Sequence, residues 1–548
     1  MRNRSLRVAA AAAILLAAAL APSIFFYWRD NFSTHFPYRA AMAGAPALHL
    51  WNPLIGGGQP LAANPNALAF YPDWILFAVL PPLLAFNLHF LLHWALGAFA
   101  MRALLRAWDI PGPYDLTGAA LWILSGAVIS TFAFYNLVTA VALVPLALLA
   151  TERFAARTTP RSSFLFGAAF GMLALAGEPV TLLATASIAL VLLASPRGGA
   201  ARDLRRLPAG IAAAIVVALL VASPLLLAWS EIAGETERGV RPYSAETVLA
   251  ASLSPWQLAE ALLGPVRGLA TDLGERGWRA SGADSRWPPL FLYLFVGGLA
   301  LPALASPPRA MRRVQIAALV LLFLALGRFN PIVARLLEAV PSARVLRYPE
   351  KLALPLTLLA TALVAAWLAK QTRGALDRAA AAGGAALAVV LAVAAARSSV
   401  WSDATKERAL LAAAIALPLF VLSALPPSAS VRRALTAITL GMAAIFAAAA
   451  IPVDLARHYG AAPPIRRGER IVRIVAQPAR APSARAEYRR AAATAEPVWG
   501  SAFGGGYALE KSPDGMYAFL SRIVHERARA GGPAVLARWS RLAGAYAL

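Results

Sequence analysis

The chain has 548 residues, of which 59% are hydrophobic and 14% charged, too little charge to cover the surface of a soluble protein of this length. Its formal net charge is +24, but the basic residues fall mostly in short loops between apolar runs, and the absence of nucleic-acid motifs excludes that class of partner. The chain has no cysteine, which excludes disulfides, cysteine-ligated metals and thiol nucleophiles.

Apolar runs of roughly 17–25 residues recur along the chain, and this is the length of a membrane-crossing helix. We therefore predict an all-α polytopic membrane protein with about thirteen transmembrane helices. The predicted spans are 8–28, 83–105, 116–134, 136–152, 163–177, 179–195, 208–230, 288–305, 314–328, 351–369, 380–396, 409–425 and 434–451.

The first span follows a basic start at Arg2, Arg4 and Arg7, which holds the N-terminus in the cytoplasm. It resembles a signal peptide, but Pro22 and the continuing apolar run predict that it is not cleaved. Alternation from there places the Arg-rich loops in the cytoplasm and the C-terminus outside. Those loops are 102–115, 153–162, 196–207, 306–313, 370–379 and 426–433.

Two domains are predicted from this pattern. Residues 1–451 form a transmembrane domain with a first extracytoplasmic loop at 29–70 and a large one at 231–287. Residues 452–548 contain no spanning run and are predicted to form a small mixed extracytoplasmic region. No strong internal repeat is visible, which disfavours an inverted-repeat transporter.

The first extracytoplasmic loop begins with an acid, Asp30, where the first span emerges into water. A carboxylate at a membrane surface can act as general base for an acceptor hydroxyl. Asn31, His35 and Arg39 are spaced four residues apart and would share one face of a helix, beside Asp30. This group is the leading candidate for a catalytic and acceptor-binding site, although a solvated helix-end acid is the simpler interpretation of Asp30 alone.

Further polar residues are candidates for binding a sugar or acceptor. Asn52 and Gln59 flank a glycine-rich turn, Asn64 follows it, and Glu178 lies in a tight Gly-Glu-Pro turn between two apolar runs. Ionisable residues at such depth are functional candidates, whereas a plain turn is the simpler interpretation of the glycine run.

A basic cluster, ARVLRYPEK, precedes a later span on the predicted outer side. Positive charge outside runs against the usual bias, so Arg344, Arg347 and Lys351 are predicted to bind a phosphate headgroup. Anchoring to ordinary anionic lipid is the alternative. The outward acids could bind a divalent cation, but no ligand spacing calls for a metal site.

These motifs together resemble a known family. An acid directly after the first span, then WNP, a Gly-rich turn before Gln-Pro and a Tyr-Pro before the next span, is similar to the bacterial YfhO-like membrane proteins of the GT-C glycosyltransferase superfamily. LRYPEK and Gly177-Glu178-Pro179 also resemble segments of that family. The family usually has a longer C-terminal region, so the resemblance implies a shortened protein.

The resemblance implies a GT-C-like transferase in the bacterial cytoplasmic membrane. It would use a polyprenyl-phosphate-linked sugar as donor and an extracytoplasmic glycan, lipid or protein as acceptor, with Asp30 as catalytic base. In-line attack would invert the anomeric carbon. A non-catalytic transporter or flippase of a lipid-linked saccharide, and a glycan ligase outside this family, are the alternatives. The sequence does not identify the sugar, the acceptor or the oligomeric state.

Overall fold

Long helices dominate the computed structural model of this chain. It describes residues 12–13, 15–28, 30–43, 51–52, 54, 58–195, 206–236, 243–266, 294–340, 347–399, 401, 403–459, 470–472, 489, 506–507, 530 and 546–547. Within those residues, eight helices are long and apolar enough to cross a membrane. They are Pro82–Ala107, Tyr114–Ala133, Tyr135–Ala156, Arg206–Glu235, Pro349–Leu368, Ala375–Arg397, Thr405–Ala424 and Ala429–Ala450.

Shorter helices lie between these spans. Those of 14 to 16 residues are Pro160–Leu175, Pro179–Ala194 and Arg312–Ala325. The others include Phe36–Ala43, Trp74–Val79, Ala245–Leu249, Pro255–Leu263, Ala300–Ala305 and Pro331–Ala339. The described residues therefore confirm a mostly helical, multi-pass architecture, while the predicted count of about thirteen spans stays a prediction.

Lipid contact explains the outer faces of several helices. The helix Arg206–Ile232 exposes Leu219, Leu220 and Leu227 by 54%, 67% and 65%, an arrangement that water would penalise. By contrast, the central helix Tyr135–Ala156 is buried along nearly its whole length. Apolar side chains therefore face outward at the rim and inward at the centre of the bundle.

The prediction that the first span is helical throughout 8–28 is wrong at its outer end. Its described helical residues end at Leu20, and a turn leads into strand β1, Ile24–Phe26. This strand pairs antiparallel with β2, Val453–Leu455, directly after the last span. Isoleucine and phenylalanine favour extended backbone, and the second strand satisfies the hydrogen bonds that the helix no longer supplies.

A second predicted span, 288–305, is also wrong over part of the residues that the structure describes. Residues 294–299 are not helical, and helix begins only at Ala300. Their backbone instead fills a break in another span, where the Gly126 amide donates to the Phe295 carbonyl at 2.9 Å. Ser125 makes that break by adopting an extended conformation. Because this irregular backbone is buried in protein, its polar groups are satisfied away from lipid.

Loops that were predicted to be cytoplasmic meet at one end of the bundle. Glu152 accepts hydrogen bonds from Trp108 and Arg313, both at 2.7 Å. Lys370 reaches the Ser306 carbonyl at 2.9 Å. These contacts join three loops of the same predicted side and the end of the span 136–152, while the orientation inferred from the basic residues stays a prediction.

The described part of the C-terminal region contains a small parallel sheet. Strands β3 (Arg470–Val472), β4 (Gly506–Tyr507) and β5 (Tyr546–Ala547) have the order β4-β3-β5. Parallel neighbours need long crossover connections, and more than thirty residues separate each strand from the next in the chain. The division into domains at residue 451 stays a prediction.

Candidate functional site

Asp30 is exposed at the start of the loop that is predicted to be the first extracytoplasmic one. It precedes a π-helix, Asn31–His35, and its side chain does not cap that helix. The buried Asn31 side chain donates to the carbonyls of Phe26 at 3.0 Å and Phe132 at 2.7 Å. The Asp30 carboxylate is therefore accessible, while the residue after it is fixed to two other elements. Short π-helical turns of this kind occur often at functional sites.

His35 and Arg39 point from the same loop into the protein, and both are buried. His35 Nδ1 lies 3.1 Å from the Asn66 carbonyl oxygen, and Arg39 donates to the Ala67 and Leu68 carbonyls at 3.2 and 3.0 Å. These two predicted site residues therefore fold the loop back on itself in this structure.

Arg39 also forms a buried ion pair with Asp73, at 2.8 Å. His89 Nδ1 lies 2.9 Å from the same carboxylate, and the Tyr135 hydroxyl donates to it. Burial opposes ionisation of this carboxyl, but the Arg39 charge and then the His89 contact outweigh it and lower the pKa of Asp73. Asp73 is thus a buried anion held by three partners.

Sequence reasoning missed most of this buried cluster. His89 and His93 lie four residues apart within a span, and their rings are 4.1 Å apart. His93 Nδ1 lies 2.8 Å from the His89 carbonyl, so Nδ1 donates and Nε2 accepts from the Tyr71 hydroxyl, also at 2.8 Å. The sequence signal that could have revealed the cluster is the presence of two histidines on one face of an apolar helix.

The three predicted amide side chains of the loop are buried. Backbone hydrogen bonds of 2.8 and 2.9 Å join Asn52 to Gln59, and Asn64 accepts from the Asn66 amide at 2.9 Å. The Trp51 indole packs where a side chain at Gly58 would lie. Gly58 itself has a φ of +116°, a conformation that favours glycine. Gly56 and Gly57 lie outside the described residues.

The predicted residues Glu178 and Lys351 meet, although 173 positions separate them. Lys351 Nζ donates to Glu178 Oε2 at 2.6 Å. Gly177 brings the turn against the first loop, since it has a φ of +69° and any side chain there would collide with the Pro65 carbonyl. The next loop residue, Asn66, accepts from Asn136 at 3.3 Å. First loop, Gly-Glu-Pro turn and basic cluster therefore lie at one end of the bundle.

Arg347 lies against aromatic rings beside this ion pair. Its guanidinium is 4.4 Å from the Tyr243 ring centre and 4.8 Å from that of Tyr348, and Lys351 Nζ is 5.8 Å from the Tyr348 centre. Tyr348 has a φ of +69°, a strained conformation for a tyrosine. This turn directs both cations to one ring. Arg344 lies outside the described residues.

Among the described residues, no group of three histidine, aspartate or glutamate side chains is placed to hold a metal ion. The arrangement instead combines an exposed acid, a buried ion pair and two cations on one tyrosine. An acid and cations at a membrane boundary can act on a substrate that carries a hydroxyl and a phosphate.

No protein-family model and no curated protein matches the chain. Among solved structures, arabinofuranosyltransferase AftD from mycobacteria is similar at 18% identity and a TM-score of 0.49, covering 87% of this chain and 30% of that chain. ArnT from Cupriavidus metallidurans bound to undecaprenyl phosphate is similar at 12% identity and a TM-score of 0.42, covering 82% of this chain and 75% of that chain. The chain thus spans less than a third of the AftD chain. These likenesses assign neither a family nor an activity to it, and the YfhO-like GT-C resemblance stays a prediction from its motifs.

Proposed function

We propose that this chain is an integral-membrane glycosyltransferase of the GT-C type that moves a sugar from a polyprenyl-phosphate donor to an extracytoplasmic acceptor. The observation that carries the proposal is the meeting of three distant segments at one end of the bundle. The first loop contacts the Gly177 turn through Pro65, and Glu178 of that turn binds Lys351. A substrate bound at this end could be reached by side chains of all three segments.

Asp30 is the proposed general base. It is exposed, so an acceptor hydroxyl can reach it, and Asn31 holds its backbone through contacts to Phe26 and Phe132. The carboxylate takes the proton as the acceptor oxygen attacks the anomeric carbon and the phosphate leaves. Attack opposite the leaving group inverts the configuration at that carbon.

Arg347 and Lys351 are the proposed phosphate ligands. Their shared contact with Tyr348 holds two positive charges near one point at the start of the helix Ala353–Leu368. A lipid-linked phosphate at the membrane boundary could bind both the planar guanidinium of Arg347 and the ammonium group of Lys351 there. Stabilising the negative charge of the leaving phosphate lowers the barrier to transfer.

Asp30→Asn tests the proposal, because it keeps the size of the side chain and removes the base. We expect transfer from a defined polyprenyl-phosphate sugar by the purified protein to fall ~10²-fold or more, with an unchanged melting temperature. Asp403→Asn is the matched control, since Asp403 is 96% exposed on the same predicted side. Equal transfer by both variants would remove Asp30 from catalysis. Movement of an intact lipid-linked sugar without transfer would favour the transporter alternative.

A further inference from the structure

Two lysine–acid pairs with buried carboxylates lie at opposite ends of the bundle and are closely matched. Lys351 pairs with Glu178 at 2.6 Å, with side-chain exposures of 18% and 1%. Lys370 pairs with Asp377 at 3.1 Å, with exposures of 17% and 0%. The pairs differ in the other partners of the carboxylate, and that difference separates a structural pair from one that can take a ligand.

The Asp377 carboxylate is fully used by the protein. Besides Lys370, it accepts from the Trp367 indole at 2.6 Å and from the Gly374 amide at 2.7 Å. Both oxygens therefore have donors that belong to the fold. A buried acid satisfied in this way stabilises its surroundings and has no capacity left for a ligand.

Glu178 is only half satisfied. Lys351 occupies Oε2, while Oε1 is the single fully buried carboxylate oxygen without a hydrogen-bond partner in the part of the chain that the structure describes. In the first turn of the helix Pro179–Ala194, the buried Thr181 hydroxyl also has no partner. Buried polar groups are rarely left unpaired, and where they are, a ligand that supplies the missing partner is a physical explanation.

We propose that Glu178 and Lys351 exchange partners when the donor binds, an inference that rests on the proposed polyprenyl-phosphate substrate. The donor's phosphate takes Lys351 Nζ, and Glu178 then accepts a hydrogen bond from a hydroxyl of the attached sugar. A bare lipid phosphate, the product of transfer, breaks the same ion pair but offers no hydroxyl in return. The site therefore prefers the sugar-loaded lipid to the bare one and favours release of the product.

Glu178→Gln tests this exchange, because the amide no longer holds Lys351 by charge. Binding of undecaprenyl phosphate and of its sugar-loaded form is measured with the purified full chain in detergent. We expect the variant to bind the bare lipid about tenfold more tightly, which corresponds to 1.4 kcal/mol, and to lose the preference for the loaded form. Asp377→Asn, the control in the matched pair, should leave the ratio of the two affinities unchanged.

Thr181→Val keeps the test decisive if Glu178→Gln does not fold. Valine fills the same volume without the hydroxyl, and we expect weaker binding of the sugar-loaded lipid with unchanged binding of the bare lipid. An unchanged affinity ratio in the folded variants, with transfer by the wild type intact, would overturn the exchange and leave the proposed function standing. Failure of the wild type to bind either lipid would overturn both.

Discussion

Two aspartates near the first loop have opposite surroundings. Asp30 is exposed, and its side chain makes no cap hydrogen bond. Asp73 is buried against Arg39, whose guanidinium also lies 4.5 Å from the Phe77 ring centre. A general base must be reachable by its substrate, whereas a buried anion with an arginine partner is suited to fixing backbone. Exposure therefore suits Asp30 to its proposed role as base, and burial suits Asp73 to support of the loop.

Arg39→Met removes the cation and leaves the Asp73 carboxylate buried beside fewer partners. Breaking one side of a buried pair costs about 3–5 kcal/mol, so we expect a clear fall in the melting temperature in detergent. The double variant Arg39→Met, Asp73→Asn should recover much of that loss, because no unpaired charge remains. If the double variant is no more stable than Arg39→Met, the ion pair is not what holds the loop.

At the scale of elements, local sequence predicted the helices better than their partners. The apolar runs at 83–105 and 136–152 correspond to Pro82–Ala107 and Tyr135–Ala156, because the length of an apolar run decides whether a helix can span lipid. Strand β1 was missed because its partner β2 lies more than 400 positions away, and no local pattern reveals such a pairing.

In the candidate site, too, local sequence indicated the residues but not their tertiary partners. Glu178 and Lys351 could each be singled out as charges at the edge of an apolar run, but their ion pair is a tertiary contact. Likewise, four-residue spacing placed Asn31, His35 and Arg39 together, yet only the structure shows that all three are buried and bonded inward. Residue type and spacing indicated where polar groups gather, and folding decided which of them pair.

Strand β2, which follows the last span and pairs with β1 in the β1–β2 ribbon, also carries a titratable contact. Asp454 in β2 accepts two hydrogen bonds of 2.6 Å from Arg489. Burial opposes ionisation here, but the Arg489 hydrogen bonds outweigh it and lower the pKa of Asp454 from 3.8 to about 2. Because the folded-state pKa is the lower one, this stabilisation is complete above pH 3.8 and is lost as the pH falls to about 2.

Asp454→Asn should therefore melt at a lower temperature than the wild type at pH 6, and the difference should shrink as the pH is lowered from about 4 to about 2. The measurement is the melting temperature of both proteins across that range. Asp403→Asn serves as the control, since the contact of Asp403 with Lys406 is a surface ion pair of 3.7 Å. A difference between wild type and Asp454→Asn that stays constant with pH would mean that the carboxylate charge is not involved.

At the scale of the whole molecule, contacts sort the loops into two sets. One end contains the Glu152–Arg313 and Lys370–Asp377 pairs, in the basic loops. The other contains the β1–β2 ribbon and the Glu178–Lys351 pair. The orientation of the two ends in the membrane stays a prediction from the basic residues, and one experiment can test it for the described loops of both sets.

Single cysteines test this orientation directly, because the chain has none of its own. A cysteine at the exposed Ser23 should react with an impermeant thiol reagent in intact spheroplasts. A cysteine at the exposed Ser430, in the first turn of the last span, should react only after permeabilisation. The opposite pattern would reverse the protein in the membrane and place Asp30 in the cytoplasm.

The pairing of β1 with β2 also sets an order for assembly of the molecule. Ile24–Phe26 leaves the ribosome early, but its partner Val453–Leu455 is made only after every described span has been synthesised. Closing so long a loop is slow, and it follows insertion of the helices between. The backbone just before Asp30 thus obtains its strand partner only after the described spans have been made. A chain whose synthesis stops between the last span and β2 would contain the spans, but the backbone before Asp30 would have no strand partner.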